Sequence, residues 1–138
     1  MLHTESITSG TLETLKQLMR DETLQDFFLV GGTALALNMG HRKSIDLDLF
    51  TLHSFDAPRR RAYLTDRYGL SNAFVRKDTV KGTIAEIKID CITYAYPLLE
   101  RVHEEGGIRL CSLRDIAAMK LSAIADSGTR LKDFVDVA

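Results

Sequence analysis

The sequence predicts a mixed α/β domain of the α+β class, built around a small sheet. Apolar residues recur at helical spacing at Leu12, Leu15 and Leu18. From Ser44 onward the apolar residues instead alternate with polar ones, which is the period of a strand. A glycine pair at positions 31 and 32 separates a short apolar run from a second helical pattern. Strand and helix patterns in this succession are typical of helices packed on a sheet.

The composition is that of one globular domain. The chain has 138 residues, 45% of them hydrophobic and 27% charged, which suffices for one core and excludes a disordered or collagen-like chain. No linker or repeat divides it, so we expect a single domain over residues 1–138. The formal net charge of -1 gives no global attraction to nucleic acid or anionic lipid. We expect a cytoplasmic protein without signal peptide or membrane span, with Cys91 and Cys111 as free thiols.

Helix-start signals and hydrophobic periods define the elements in chain order. Ser9 and Thr11 are the expected caps of a first amphipathic helix. An apolar strand over 27–30 is then followed by a turn at the glycine pair and by a helix over 33–40. The later predicted elements are a strand from residue 44, a basic helix over 58–68, strands over 73–77 and 82–94, a helix from Ser112 to Gly128, and a last helix from Thr129.

The segment Gly31-Gly32-Thr33 and the aspartates of the following strand form the strongest candidate site. A glycine turn that opens a helix exposes backbone N–H groups to a phosphate, the helix dipole favours that anion, and Thr33 adds a hydroxyl. Asp46 and Asp48 are two apart on a strand, so about 6.6 Å apart at the backbone and on one face. Their oxygens can bind one or two divalent ions, an arrangement that suits phosphoryl transfer. Asp90, on the polar face of a later strand, is the candidate third ligand.

A solvated strand face is the alternative for the two aspartates by themselves, because alternating strands often expose acids. Like charges beside a glycine turn cost stability unless a cation or base neutralises them, which favours the functional interpretation. Lys88 lies two residues before Asp90 on the same face and can balance the carboxylates or bind a phosphate.

Lys120 falls within the predicted apolar stripe of the helix after Ser112. That stripe consists of Leu113, Ile116, Ala117, Leu121 and Ile124. Either the lysine stem packs and its ammonium reaches water, or the ammonium meets a nucleotide phosphate or the carboxylates. Asp133 and Asp136 lie opposite the stripe of the last helix, which favours solvent exposure. The basic run 59–61 either contacts an RNA backbone or is the solvated start of a helix.

Five segments match one known family. They are residues 27–37 and 41–50, Lys-Ile-Asp at 88–90, and the segments 115–120 and 132–136. Thirteen residues separate Gly32 from Asp46, which fits the upper end of the family spacing between its glycine pair and its D-x-D motif. On these segments the chain resembles the AbiEii/AbiGii-type nucleotidyltransferase toxins of the polymerase-beta-like nucleotidyltransferase superfamily. The resemblance covers residues 27–136.

The resemblance implies a role for each matching residue. It implies that two magnesium ions are held by Asp46, Asp48 and Asp90. It implies that the nucleoside triphosphate is held by Gly31, Gly32, Thr33 and Lys120, with Arg42, Lys43 and Lys88 as further nucleotide-binding residues. It implies that Asp133 or Asp136 assists the incoming nucleophile, so that the expected catalytic set is Asp46, Asp48, Asp90, Lys120, Asp133 and Asp136.

The family also implies a reaction and partners. A polymerase-beta-like enzyme of this kind transfers a nucleoside monophosphate from a triphosphate such as ATP or GTP, and pyrophosphate leaves. In several such toxins the acceptor is the 3′ end of a tRNA, and a cognate antitoxin controls the toxin in bacterial abortive infection. Family members continue into a C-terminal helical region, whereas this chain ends two residues after Asp136. We therefore expect that region to be cut short.

Two other functions stay open. The same donor chemistry can serve a protein hydroxyl or a small molecule such as an aminoglycoside, because the fold does not fix the acceptor. A truncated, non-catalytic domain that binds nucleotide or a protein partner is the other, although three intact aspartates argue against it. A glycosyltransferase with a D-x-D motif is excluded, since it needs a much larger Rossmann-like domain.

Overall fold

The computed structural model describes residues 2–40 and 46–126. The helices are α1 Ser9–Arg20, α2 Gly31–Met39, α3 Ala57–Tyr68 and α4 Leu113–Asp126. The strands are β1 Phe28–Val30, β2 Leu47–Thr51, β3 Ser71–Arg76, β4 Thr79–Ile84, β5 Ile87–Thr93, β6 His103–Glu105 and β7 Ile108–Leu110. The strands form one mixed sheet in the order β3-β4-β5-β2-β1-β7-β6. The predicted α+β class is confirmed.

The centre of the sheet combines parallel and antiparallel pairs. β2 pairs antiparallel with β1 and parallel with β5, and β1 pairs parallel with β7. On one face, Leu49 of β2 and Ile89 of β5 are almost fully buried in the main core, which also takes in Leu15 of α1 and Leu37 of α2. Burial of such a side chain contributes about 1.5–3 kcal/mol. The helices α1 to α3 therefore cover this face of the sheet, and the opposite face of β2 and β5 is lined by other side chains.

The opposite face carries a smaller apolar cluster. Phe28, Val30 and Cys111 form its buried part, and Phe50 and Met119 pack against it. α4 thus lies on this second face of the sheet. Cys91 and Cys111 are both buried and unpaired, as predicted. Within residues 2–40 and 46–126, no helix is both long and apolar enough to cross a membrane.

Helix ends differ slightly from the predicted ones. Thr8, rather than Ser9 or Thr11, caps α1, because its Oγ1 accepts a hydrogen bond from the Thr11 amide at 3.2 Å. α2 begins at Gly31, two residues earlier than predicted, and ends at Gly40, whose left-handed φ of 71° closes the helix.

The predicted single strand over 82–94 is wrong, because the chain reverses inside it. β4 and β5 form an antiparallel hairpin whose turn residues, Ala85 and Glu86, have φ of 50° and 66°. Neither residue type favours positive φ, so the alternating pattern concealed the turn. A second hairpin, β6–β7, was not predicted, although its Gly106-Gly107 turn is a recognised signal.

The N-terminus of α4 is confirmed, but its predicted apolar stripe is buried only in part, since Ile116 packs on the core whereas other members are exposed. Ser112 Oγ accepts from the Asp115 amide at 3.0 Å, and the Asp115 carboxylate in turn accepts from the amides of Leu99 and Glu100. Leu113 and Leu121 are 43% and 54% exposed. The buried side of α4 is rotated toward Met119, which packs on the sheet. The predicted helix end at Gly128 and the last helix lie outside the described residues.

Arg109 of β7 joins three separate backbone segments. Its guanidinium donates to the carbonyl oxygens of Phe27 at 2.8 Å, Met19 at 3.1 Å and Leu24 at 3.1 Å. These carbonyls end α1 and lead into β1, so the arginine fixes the path of the chain into the central sheet.

We expect Arg109→Met to lower the free energy of unfolding by about 2–4 kcal/mol, because it leaves three half-buried carbonyls without a donor. Arg61→Met, at an exposed position of α3, is the matched control and should change stability by less than about 0.5 kcal/mol. Urea unfolding of both variants measures the difference. Equal stability of the two variants would contradict the role given to Arg109.

Candidate active site

Asp48 of β2 and Asp90 of β5 lie side by side on the second face of the sheet. The two strands are parallel, and Asp48 is the register partner of Asp90. Their neighbours Leu47, Leu49 and Ile89 point into the main core, which turns both carboxylates to the other face. Asp48 and Asp90 are half-buried. The pairing of β2 with β5 thus brings these two acids close together, as the sequence predicted.

Gly31 packs directly against Asp48. It follows β1 with a φ of 73°, a conformation that glycine adopts without penalty, and opens α2. A Cβ placed on Gly31 would overlap Asp48 Oδ2 and come within 3.1 Å of Asp48 Cγ. A side chain at position 31 is therefore incompatible with the present place of the Asp48 carboxylate.

The electrostatics of Asp48 reflect its neighbours. Burial is the main cause that raises its pKa, followed by the negative charges of Asp90 and Asp46, and together they bring the pKa to about 6. The positive charges of Lys81 and Lys88 act in the opposite direction. The acidic face of the sheet therefore holds more negative charge than its lysines compensate.

Lys81 was not predicted as a site residue. It lies on β4, where it is the antiparallel register partner of Asp90, and it is exposed. Lys88, which was predicted, is exposed on β5. The position of Lys81 depends on the hairpin turn at Ala85–Glu86, so the mistaken strand over 82–94 concealed it. Alternation along β4 would have found it once that turn was placed.

The N-terminus of α2 adjoins the acidic pair. Val30, its N-cap residue, gives the helix no side-chain cap, and the positive end of the helix dipole favours an anion at this place. The Thr33 side chain is buried, and its hydroxyl donates to the carbonyl oxygen of Asp46. This bond ties α2 to the residue that leads into β2, so Thr33 has a structural bond in addition to the binding role expected of it.

The remaining predicted site residues show no hydrogen bond or ion pair with Asp48 and Asp90 in the described part of the chain. Asp46 is exposed just before β2 and acts on Asp48 through its charge. Lys120 is exposed on α4, and in the described part of the chain no hydrogen bond or ion pair joins it to the carboxylates. Leu113 and Leu121 of the predicted stripe are exposed as well, so Lys120 does not lie on a buried stripe and its exposure needs no snorkelling. Arg42, Lys43, Asp133 and Asp136 lie outside the described residues.

The acidic face has the donor chemistry for magnesium. Carboxylate oxygens are the ligands that this ion prefers, and the excess negative charge around Asp48 is what a cation would offset. Among residues 2–40 and 46–126, no three acidic, histidine or cysteine side chains already form a metal-holding cluster.

The sequence also matches a known protein family. Residues 13–138 match the family described as nucleotidyl transferase AbiEii toxin, type IV TA system. The chain belongs to this family. The predicted family is confirmed.

This AbiEii-family chain is also similar to a curated protein. An uncharacterized protein of Aquifex aeolicus (strain VF5), aq_aa25, is 37% identical over 132 residues, covering 91% of this chain and 62% of that protein. The chain thus spans about three fifths of the length of this curated relative.

Two solved structures share the fold. A candidate nucleotidyltransferase from H. pylori is 21% identical with a TM-score of 0.57, covering 94% of this chain and 67% of that chain. A candidate nucleotidyltransferase from Thermotoga maritima is 16% identical with a TM-score of 0.58, covering 100% of this chain and 97% of that chain. The architecture is therefore that of nucleotidyltransferases.

Gly31 can be tested against Gly69, a glycine of nearly the same backbone conformation. Gly69 has a φ of 72° and nothing within 4 Å of a Cβ placed on it, whereas Gly31 has Asp48 there. We expect Gly31→Ala and Gly69→Ala each to cost about 1–2 kcal/mol of stability, because both force alanine into left-handed backbone. Nucleotidyl transfer should fall at least about 100-fold only in Gly31→Ala, since only there is the carboxylate displaced.

Thermal melts and transfer rates of the two variants make the comparison. Equal transfer by both would show that the contact of Gly31 with Asp48 does not matter for the reaction.

The raised pKa of Asp48 predicts a pH-dependent gain in stability for Asp48→Asn. The folded-state pKa of about 6 exceeds the usual 3.8, so ionisation of Asp48 costs folding free energy as the pH rises through this interval. Asp48→Asn should match the wild type near about pH 4 and exceed it by roughly 1–2 kcal/mol above about pH 7. Melting temperatures in chelator across this range measure it, with Asp66→Asn, exposed on α3, as the control. A gap that is constant across pH would contradict the prediction.

Proposed function

We propose that this chain is the catalytic domain of a magnesium-dependent nucleotidyltransferase that moves a nucleoside monophosphate from a nucleoside triphosphate to an acceptor hydroxyl. The acceptor in this proposal is the 3′ end of a tRNA. The observation that carries the proposal is the register pairing of Asp48 with Asp90, with Gly31 against Asp48. A carboxylate pair next to an open helix N-terminus is suited to a metal-bound triphosphate.

Different residues of the chain bind the phosphates, bind the metal and balance the charge. The backbone N–H groups at the start of α2 bind the β- and γ-phosphates, because they lie at the positive end of the helix dipole beside the acidic pair. Asp48 and Asp90, with Asp46 beside them, would hold the magnesium. Lys81 and Lys88 border the same face, and their charges offset part of the carboxylate repulsion. Lys120 stays a candidate phosphate ligand by resemblance.

The chemistry is an in-line displacement at the α-phosphorus. The acceptor oxygen forms a bond to this phosphorus while the bond to the bridging oxygen breaks, and pyrophosphate leaves. Magnesium, when bound, neutralises the charge that develops on the phosphate oxygens. The hydroxyl proton passes to a base, the role that the resemblance gives to Asp133 or Asp136.

The biological setting follows from the family. Its members are toxins of a type IV toxin–antitoxin system, so the proposal includes a cognate antitoxin that counteracts the chain. The proposed substrates, a nucleoside triphosphate such as ATP or GTP and a tRNA, are cytoplasmic, and the proposal places the protein there.

The proposal is tested by incubating the full chain with magnesium, each α-labelled nucleoside triphosphate in turn, and bacterial lysate. We expect label that ribonuclease removes and protease does not. Asp48→Ala should reduce labelling at least about 100-fold, because it removes one of the paired ligands. Asp66→Ala is the matched control, since it removes an exposed carboxylate far along α3 and should label as the wild type does.

Each other outcome overturns a distinct part of the proposal. Label that protease removes would make a protein the acceptor, and label on a small molecule would favour the aminoglycoside-like alternative. Label that persists in Asp48→Ala would exclude the acidic pair from the reaction. Absence of label in every fraction, with nucleotide still bound, would support a non-catalytic binding domain.

A further inference from the structure

Three aromatic rings continue the acidic face, one on β2 and two in the segment that follows β5. Phe50 of β2 stacks on Tyr94 with ring centroids 5.5 Å apart at 19°, and Tyr94 meets Tyr96 edge to face at 5.4 Å. We call Phe50, Tyr94 and Tyr96 the aromatic ladder. Phe50 and Tyr94 are half-buried, whereas Tyr96, the last ring, is 58% exposed. The ladder thus ends in a ring that is free to take a further stacking partner.

The ladder is held from two sides. The Tyr94 amide donates to the carbonyl oxygen of Thr51 at 2.8 Å, which extends the pairing of β5 with β2 by one residue. Beyond Tyr96, the amides of Leu99 and Glu100 donate to the Asp115 carboxylate at the start of α4, at 2.7 and 3.0 Å. Asp115 is itself buried and bonded to Ser112. The exposed ring therefore stands on a segment that is fixed at both ends.

The ladder and the α2 N-terminus lie on opposite sides of Asp48. β2 is antiparallel to β1, with Asp48 opposite Val30 and Phe50 opposite Phe28. Gly31 follows Val30 and so lies on the Leu47 side of Asp48, whereas Phe50 lies about 6.6 Å away in the other direction. Tyr94 is four residues beyond Asp90, or about 13 Å along β5 in that same direction.

An in-line displacement places the leaving pyrophosphate and the attacking acceptor on opposite sides of the reacting phosphorus. If the leaving pyrophosphate is held at the α2 N-terminus, the acceptor must arrive from the side of the aromatic ladder. We propose that the aromatic ladder binds the acceptor, by stacking of the unpaired bases at the end of a single-stranded RNA on Tyr96. The inference rests on the proposed function, since that function places the triphosphate at α2.

The chemistry of the surface agrees with this occupant. A chain with a net charge of -1 has no global attraction to a polyanion, so local contacts must supply the affinity. Stacking on an exposed aromatic ring is a local contact that accepts any base, as the end of an RNA strand requires.

The test is the equilibrium binding of a short, 3′-labelled single-stranded RNA to the full chain without nucleotide, measured by fluorescence anisotropy. We expect Tyr96→Leu to weaken binding about tenfold, equivalent to about 1.4 kcal/mol, and Tyr96→Phe to bind as the wild type does. Phe74→Leu is the matched control, because Phe74 is 48% exposed on β3, at the edge of the sheet away from the ladder. It should leave binding unchanged.

A second RNA that lacks its terminal bases separates stacking from backbone contacts. The wild type should bind this abasic RNA as weakly as Tyr96→Leu does, and the variant should not distinguish the two RNAs. The inference is wrong if the wild type does not bind the intact RNA, if Tyr96→Leu binds it normally, or if Phe74→Leu loses as much affinity.

Nucleotide binding distinguishes the acceptor from the donor as the source of the stacked base. Tyr96→Leu should bind each nucleoside triphosphate as the wild type does, and a loss there with RNA binding intact would assign the ladder to the donor base and overturn the inference. Transfer to RNA by the wild type, together with unaltered RNA binding by Tyr96→Leu, would leave the proposed function standing and remove only the ladder's role.

Discussion

The site depends on two negative charges that apolar packing holds side by side. Asp48 and Asp90 repel each other, and nothing in their own chemistry brings them together. Leu47 and Leu49 on β2 and Ile89 on β5 fix the pairing from the other face of the sheet, where each is almost fully buried. A slip of one residue in either strand would expose these side chains and bury a carboxylate. The hydrophobic core therefore sets the register, and the register sets the charge pair.

This arrangement separates stability from chemistry across the thickness of one sheet. The main core and α1 to α3 occupy one face, while the carboxylates, the lysines and the aromatic ladder occupy the other. Gly31 links the two, because the turn from β1 into α2 passes close to Asp48 and leaves no space for a Cβ. The same turn that allows α2 to cover the core thus brings the N-terminus of this helix to the acids.

The sequence was informative where hydrophobic period and glycine chemistry agree. β1, the glycine turn, α2 and the alternating β2 follow from patterns of about ten residues each, and they contain Asp48 and Gly31. The β4–β5 hairpin was missed, because Ala85 and Glu86 carry no turn signal although both adopt positive φ. Tertiary pairing alone stabilises that turn. Lys81 pairs with Asp90 only across this hairpin, so it was not predicted as a site residue either.

α4 shows how a correctly predicted capping signal also makes a contact that the sequence does not reveal. Its Ser112–Asp115 capping box was predicted and is present, but Asp115 also binds the backbone of Leu99 and Glu100, a contact that only the fold creates. The side of α4 that faces the sheet follows Met119 rather than Leu121, which leaves Lys120 in solvent. The start of α4 therefore supports the aromatic ladder through its acid, because Asp115 anchors the segment that follows Tyr96.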